Sequence, residues 1–204
     1  MSPTDVQKVR EDPRVLRTRR TLGASLVELM KANRFDEITV QQVLDRASVG
    51  RATFYSHFRN KRDLLLSDAE RFFIFLEQEF LAQSGASRRV APVEELFGHV
   101  ADVEHFRVAL ERSSMREPVY DLLTGHLAGI IERRLTDLGA VGSNAALPIT
   151  AVARMLAAAL VEMMRWWLTH PGDGTAREMD VRFHRIAWGG ITRVSPRLEL
   201  PRSI

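Results

Sequence analysis

The chain has 204 residues, 45% of them hydrophobic and 27% charged, the balance of an ordinary globular protein with room for one or two domains. It contains no cysteine, which excludes disulfides, thiolate metal sites, iron–sulfur clusters and cysteine nucleophiles together. The formal net charge of +3 is unevenly spread: residues 1–65 hold 13 Lys and Arg against 8 Asp and Glu, whereas residues 66–204 hold 16 against 18. A basic first third on a nearly neutral body points to a polyanionic partner for that third. A genome that prefers arginine would leave a similar mark, since only Lys8, Lys31 and Lys61 are lysines. The polar stretch from Met1 to Arg14 has no apolar core of a secretory signal, and the most apolar run, residues 155–168, is interrupted by Glu162 and Arg165. A soluble, cytoplasmic protein with no membrane partner is expected.

Turn residues divide the chain into nine helical segments with hardly a strand signal, so the expected fold class is all-α. Asp12 and Pro13 open the first helix as a capping acid and a proline whose missing N–H costs nothing there. Leu22, Leu26, Leu29 and Met30 form its apolar stripe. Thr39 to Gln42 reads as a capping box, with Ile38 and Val43 placed as its hydrophobic staple, and opens a short helix to about Ala47. Ser48-Val49-Gly50 turns the chain into a second short helix that starts at Arg51 and runs to about Phe58. Asn60 then caps a long helix over residues 61–84, with the stripe Leu65, Ala69, Phe72, Leu76 and Phe80. Helices over residues 92–103, 104–112, 116–138 and 148–170 follow, and a ninth carries Met179, Phe183, Ile186, Ala187 and Gly190.

Two short helices joined by a three-residue turn, behind a longer helix, make the helix-turn-helix plan. Phe54 and Phe58 would bury one side of the second short helix, leaving Ala52, Thr53, Ser56 and His57 to project, a face suited to a major groove. Any small three-helix subdomain shares the plan. The capping box, the turn, the polar outer face and the arginine excess together favour DNA.

Residues 35–66, FDEITVQQVLDRASVGRATFYSHFRNKRDLLL, resemble the DNA-binding domain of the TetR family of bacterial transcription regulators. The resemblance rests on Thr39 opening its helix, the run Thr53-Phe54-Tyr55, His57-Phe58, and Asn60-Lys61-Arg62 followed by Leu64-Leu65, and extends over residues 14–66. In one departure the turn reads Ser48-Val49-Gly50 where the family commonly has Gly-Val and a polar residue, which would put Ser48 in a left-handed conformation. The resemblance implies a DNA-binding domain over residues 1–66 and a helical effector-binding and dimerisation domain over residues 67–204. It also implies double-stranded DNA, a second copy of the chain and a small-molecule effector as partners, and no cofactor. By the same resemblance Thr39, Gln41, Arg51, Ala52, Thr53, Tyr55, His57 and Lys61 meet DNA. Physically, Arg51 can read a guanine edge or hold a phosphate, and Ala52 suits a thymine methyl. Lys61 and the free N–H groups of its helix start can hold a phosphate. Arg14, Arg17, Arg19 and Arg20 either add phosphate contacts or stay solvated.

For the larger half the family implies an apolar pocket, for which Leu76, Phe80, Phe106, Met115, Tyr120, Met163 and Trp166 are candidates, each equally readable as plain core. The stripe Val152, Leu156, Leu160 and Trp167, with Phe183 and Ile186 on the ninth helix, is read as a four-helix dimer interface or as an intrachain hairpin. His99, Asp102 and His105 have a spacing that can hold a metal but are more often solvent-exposed, and no metal is expected. No Gly-x-Ser-x-Gly elbow, phosphate-cradling glycine loop or His-Glu-x-x-His occurs, so no enzyme is expected. The expectation is a DNA-binding regulator, a repressor, with a protein-interaction module of the same fold as the alternative.

Overall fold

The structure, a computed structural model, describes residues 12–85, 87–140, 146–170 and 172–194. The polar stretch read above at Met1 to Arg14 therefore lies outside the described residues as far as Glu11. The helices are α1 (Pro13–Met30), α2 (Val40–Ala47), α3 (Arg51–His57), α4 (Lys61–Ser84), α5 (Val93–Asp102), α6 (Glu104–Glu111), α7 (Arg116–Asp137), α8 (Ile149–Thr169) and α9 (Ala176–Val194). Among the described residues there is no strand. A single 3-10 turn, Phe35–Glu37, precedes α2 and was not signalled by apolar periodicity.

Local chemistry sets the N-terminal boundaries. Asp12 Oδ1 accepts from the Arg14 amide at 2.8 Å, ahead of Pro13 in the first turn of α1. At α2 the Gln42 amide donates to Thr39 Oγ1 at 3.2 Å, while Gln42 Oε1 accepts from the Thr39 amide at 2.7 Å, a complete capping box. Asn60 Oδ1 accepts from the Asp63 amide at 2.9 Å to start α4. Ser48 ends α2 at φ 53°, ψ 42°, in the left-handed region, as the departure in its turn led us to expect.

A small core forms from Leu22, Leu26 and Met30 of α1, Val43 and Leu44 of α2, Phe54 of α3, Phe58, and Leu64 and Leu65 at the start of α4. Lys61 completes it: its ammonium donates to the carbonyls of Phe35 (2.7 Å), Asp36 (3.0 Å) and Ile38 (2.6 Å) and lies 4.7 Å from the Phe35 ring centre. Those three carbonyls sit around the 3-10 turn, so the lysine staples that turn to α4. Burial pushes its pKa down, against the opposing pull of Asp36.

The larger bundle packs α7 against α8 and α5 against α9, and α4, packed on α1, α5 and α7, makes one continuous core of it and the N-terminal helices. A polar seam fixes α9. Arg89 pairs with Glu95 at 2.6 Å and with Asp180 at 2.8 Å, and His184 Nε2 accepts from the Val90 amide at 3.0 Å. With Nε2 accepting, Nδ1 carries the proton and donates to the Asp180 carbonyl at 2.8 Å. Trp188 Nε1 donates to the Arg88 carbonyl at 3.0 Å, and Arg134 donates to the carbonyls of Ser87 and Arg89. Burial would raise the Asp180 pKa, but the hydrogen bonds from His184 and Arg89 and the charge of Arg89 outweigh it and hold the carboxyl below its ordinary range.

Candidate functional site

Two places in the fold can do chemistry: the outer face of the helix-turn-helix, and a cavity where that domain meets the bundle. Phe54 and Phe58 bury the inner side of α3, with ring centres 5.8 Å apart. Arg51, Ala52, Thr53, Tyr55 and Ser56 are consequently exposed. Tyr55 is 51% exposed and stands edge-on to Phe54, with ring centres 5.2 Å apart. None of the hydrogen bonds or ion pairs among the described residues engages Arg51. Its guanidinium stands at the first turn of a helix whose outer face is otherwise small and polar, available to an acceptor pair on a base edge or a phosphate.

Other predicted DNA residues are placed differently. Thr39 and Gln41 are exposed, but the Thr39 hydroxyl caps α2 and Gln41 Nε2 donates to Asp45 at 2.7 Å. His57 is half-buried beside Phe58, in a cleft shared with Arg19, Ser67 and Pro118. Lys61 is turned inward onto its three carbonyls, a use that spacing could not reveal because its partners lie 23 to 26 residues earlier. The open amides at the start of α4 remain, but the ammonium expected beside them is engaged. Arg19, half-buried, likewise donates to Ser67 Oγ at 3.3 Å and lies over the Phe58 ring.

The second place is a cavity of about 390 Å³ bounded by α1, α4, α5, α6 and α7, with Met164 of α8 at its back. Phe72, Phe73, Phe106, Leu110, Val119 and Leu123 give it an apolar wall. Its size and lining match a small-molecule site. Of the predicted ligand residues it takes in Phe106 and Tyr120 only. Leu76, Phe80 and Met115 are buried in packed core elsewhere, Met163 is half-buried outside it, and Trp166 is 43% exposed and stacked on His170. The Tyr120 hydroxyl donates to Glu111 at 2.5 Å, and burial together with that bond pushes its pKa up to about 12. Sequence reasoning missed Arg20, Ala24 and Val27 of α1, and Asp68 and Arg71 of α4, which also line the cavity. The one signal was an acid and an arginine three apart beside the apolar stripe, which passes for a solvated pair.

His99 also faces the cavity and stacks on Phe72 with ring centres 3.9 Å apart, a packing that desolvates the ring and lowers its pKa against the pull of Asp102. Among the described residues no three His, Asp or Glu side chains are grouped to hold a metal ion. No described helix is long and apolar enough to cross a membrane.

The stripe predicted for dimerisation is largely used within the chain. Val152, Leu160 and Phe183 are buried, and Leu156 and Trp167 are half-buried, with Trp167 Nε1 donating to the Gly174 carbonyl at 2.8 Å. Of the six, Ile186 alone is well exposed, at 71%. Periodicity finds an apolar stripe but not which edge of it the rest of the chain covers.

Residues 24–67 match the family model described as bacterial regulatory proteins, tetR family. No curated protein matches the chain by sequence. Among solved structures, the chain is similar to dihydroxyacetone kinase operon activator DhaS (16% identity, 88% of this chain and 99% of that one, TM-score 0.64). It is similar also to a TetR transcriptional regulator from Streptococcus agalactiae (20% identity, 86% and 96%, TM-score 0.61). A third similar structure is Thermus thermophilus FadR, a TetR-family repressor in complex with lauroyl-CoA (18% identity, 91% and 98%, TM-score 0.59). The chain thus carries a TetR-family N-terminal domain and has, over most of its length, the fold of TetR-family transcriptional regulators.

Proposed function

We propose that the protein is a ligand-responsive, dimeric repressor that reads an inverted-repeat operator through α3. The exposed, unpaired Arg51 at the head of α3 carries this reading, supported by Ala52, Thr53 and Tyr55 on the same outward face. The domain division at residue 66 falls within α4, which packs on α1 as well as on α5 and α7 and so joins the two functions. Operator occupancy by a dimer blocks transcription by excluded space and needs no further surface.

Dimerisation is read from the apolar side chains that the chain leaves uncovered on α8 and α9. Met155 (61% exposed) and Trp166 line up with Ala158 and Ala159 along α8, and Ile186 stands on α9. Small residues between large ones allow two copies of α8 to approach closely. An effector in the cavity would touch α1 and α4 at once. It would therefore bias how the two recognition helices of a dimer are spaced, and DNA would bias the same equilibrium in return.

Selection of bound sequences from random duplex DNA tests this reading. An enriched inverted repeat with half-sites about one helical turn or a multiple apart is the expected result. Absence of any enriched motif at moderate salt would overturn it and bring a protein-interaction role of the same fold forward.

A further inference from the structure

The cavity wall is mostly apolar, with Arg20, Asp68, Arg71, His99, Arg107 and Tyr120 as its polar members. Arg71 of α4 has its Nη2 bonded to Asp68, while its Nε and Nη1 are buried and meet no acceptor. Buried guanidinium N–H groups without acceptors are uncommon and costly. The charged groups that line the cavity are Arg20, Arg71 and Arg107 against Asp68, so the field inside favours an anion. Arg107 is only loosely balanced, by the exposed Glu104 at 3.8 Å.

Resting on the reading of this cavity as the effector site, we propose that its ligand is an amphipathic anion. Its acidic headgroup is held by Arg71, and its apolar body lies among Phe72, Phe73 and Phe106. Charge-assisted hydrogen bonds from the unpaired guanidinium N–H groups supply the selectivity, and the rest of the wall supplies the affinity. The same arginine links the ligand to the DNA-binding domain. Its partner Asp68 lies so close to the α1 backbone at Gly23 that a β-carbon there would fall inside the carboxylate. An incoming acid competes with Asp68 for Arg71 and repels it, which loosens the carboxylate from its seat on α1.

The test is direct binding, without DNA, of decanoate against decanol and of naphthoate against naphthol, by calorimetry near neutral pH. The full chain is compared with its Arg71→Met and Arg71→Lys variants. The intact protein is expected to bind each acid roughly tenfold or more tightly than its neutral partner. Arg71→Met is expected to lose that preference while keeping its affinity for decanol and naphthol, and Arg71→Lys to retain part of it. Equal affinity for acid and alcohol in the intact protein overturns the anion proposal and leaves the cavity as an effector site. Failure of all four probes to bind overturns both. A preference for acids that survives in Arg71→Met assigns the selectivity elsewhere and overturns the role of Arg71. Should Arg71→Met not fold, the acid-to-alcohol ratio in the intact protein and in Arg71→Lys still decides the matter.

Discussion

Lys61 commits its ammonium to three backbone carbonyls, which gives it a holding role in the fold. Replacing it by Met leaves those carbonyls without their charged donor and should cost about 2 kcal/mol of stability, since hydrogen bonds to charged groups are worth about 1.5–3 kcal/mol. Denaturant unfolding checks this, and unchanged stability with weakened DNA binding would return Lys61 to the phosphate role. Ser48 offers the opposite sign. Its left-handed backbone suits glycine better than any residue with a β-carbon, so Ser48→Gly should raise stability by up to about 1 kcal/mol. A fall in melting temperature would contradict it. Ser48 was legible because the conformation follows from its place in a three-residue turn. The partners of Lys61 were not, because they belong to a turn far back in the chain.

At the scale of elements, α1 and α9 are each held by a charged device. Gly23 admits Asp68 against the backbone of α1, so Gly23→Ala should not give the gain of about 0.4–1 kcal/mol that the exchange usually brings in a compatible helix. Its melting temperature should stay level or fall, and a clear rise would show that Asp68 can leave its seat freely. On α9, the buried Asp180 shares the half-buried Arg89 with Glu95. Its carboxyl titrates lower folded than unfolded, so the stability it adds is complete above the unfolded carboxylate pKa of about 3.9 and disappears as the pH falls through the lower folded value. Asp180→Ala should cost about 3 kcal/mol at neutral pH, by leaving Arg89 half-paired, and should flatten the acid limb of the stability curve. Melting temperatures across pH 2–7 check both the size and the sign. Helix positions were readable in advance because caps and stripes are local. The seam was not: Arg89 and Asp180 lie 91 residues apart and meet only once α5 packs on α9.

For the whole molecule, the caps, turn and helix boundaries of the N-terminal domain were written in nearest-neighbour signals, whereas the inward turn of Lys61 and the half-burial of His57, predicted to project from α3, were not. The cavity depends on six helices converging. From sequence only two of its seven proposed residues, Phe106 and Tyr120, were placed at its wall. The proposed dimer surface is no easier to read from sequence, because an apolar stripe does not say which edge faces the chain's own core. Ile186 marks the uncovered edge, and Ile186→Glu should convert a dimer to a monomer in light scattering while leaving the fold intact, because the side chain is exposed. A dimer that persists in that variant would move the interface off this face. The claim on which the others depend is that α3 reads DNA sequence. The measurement that tests it most directly is the affinity for the selected duplex against a scrambled one, at one fixed salt concentration, for the intact chain and for the double variant Arg51→Ala, Tyr55→Ala. The account predicts that the ratio of the two affinities, large for the intact chain, collapses toward one in the variant, while binding to the scrambled duplex falls far less. A variant that keeps the ratio, or an intact chain that shows none, would contradict it.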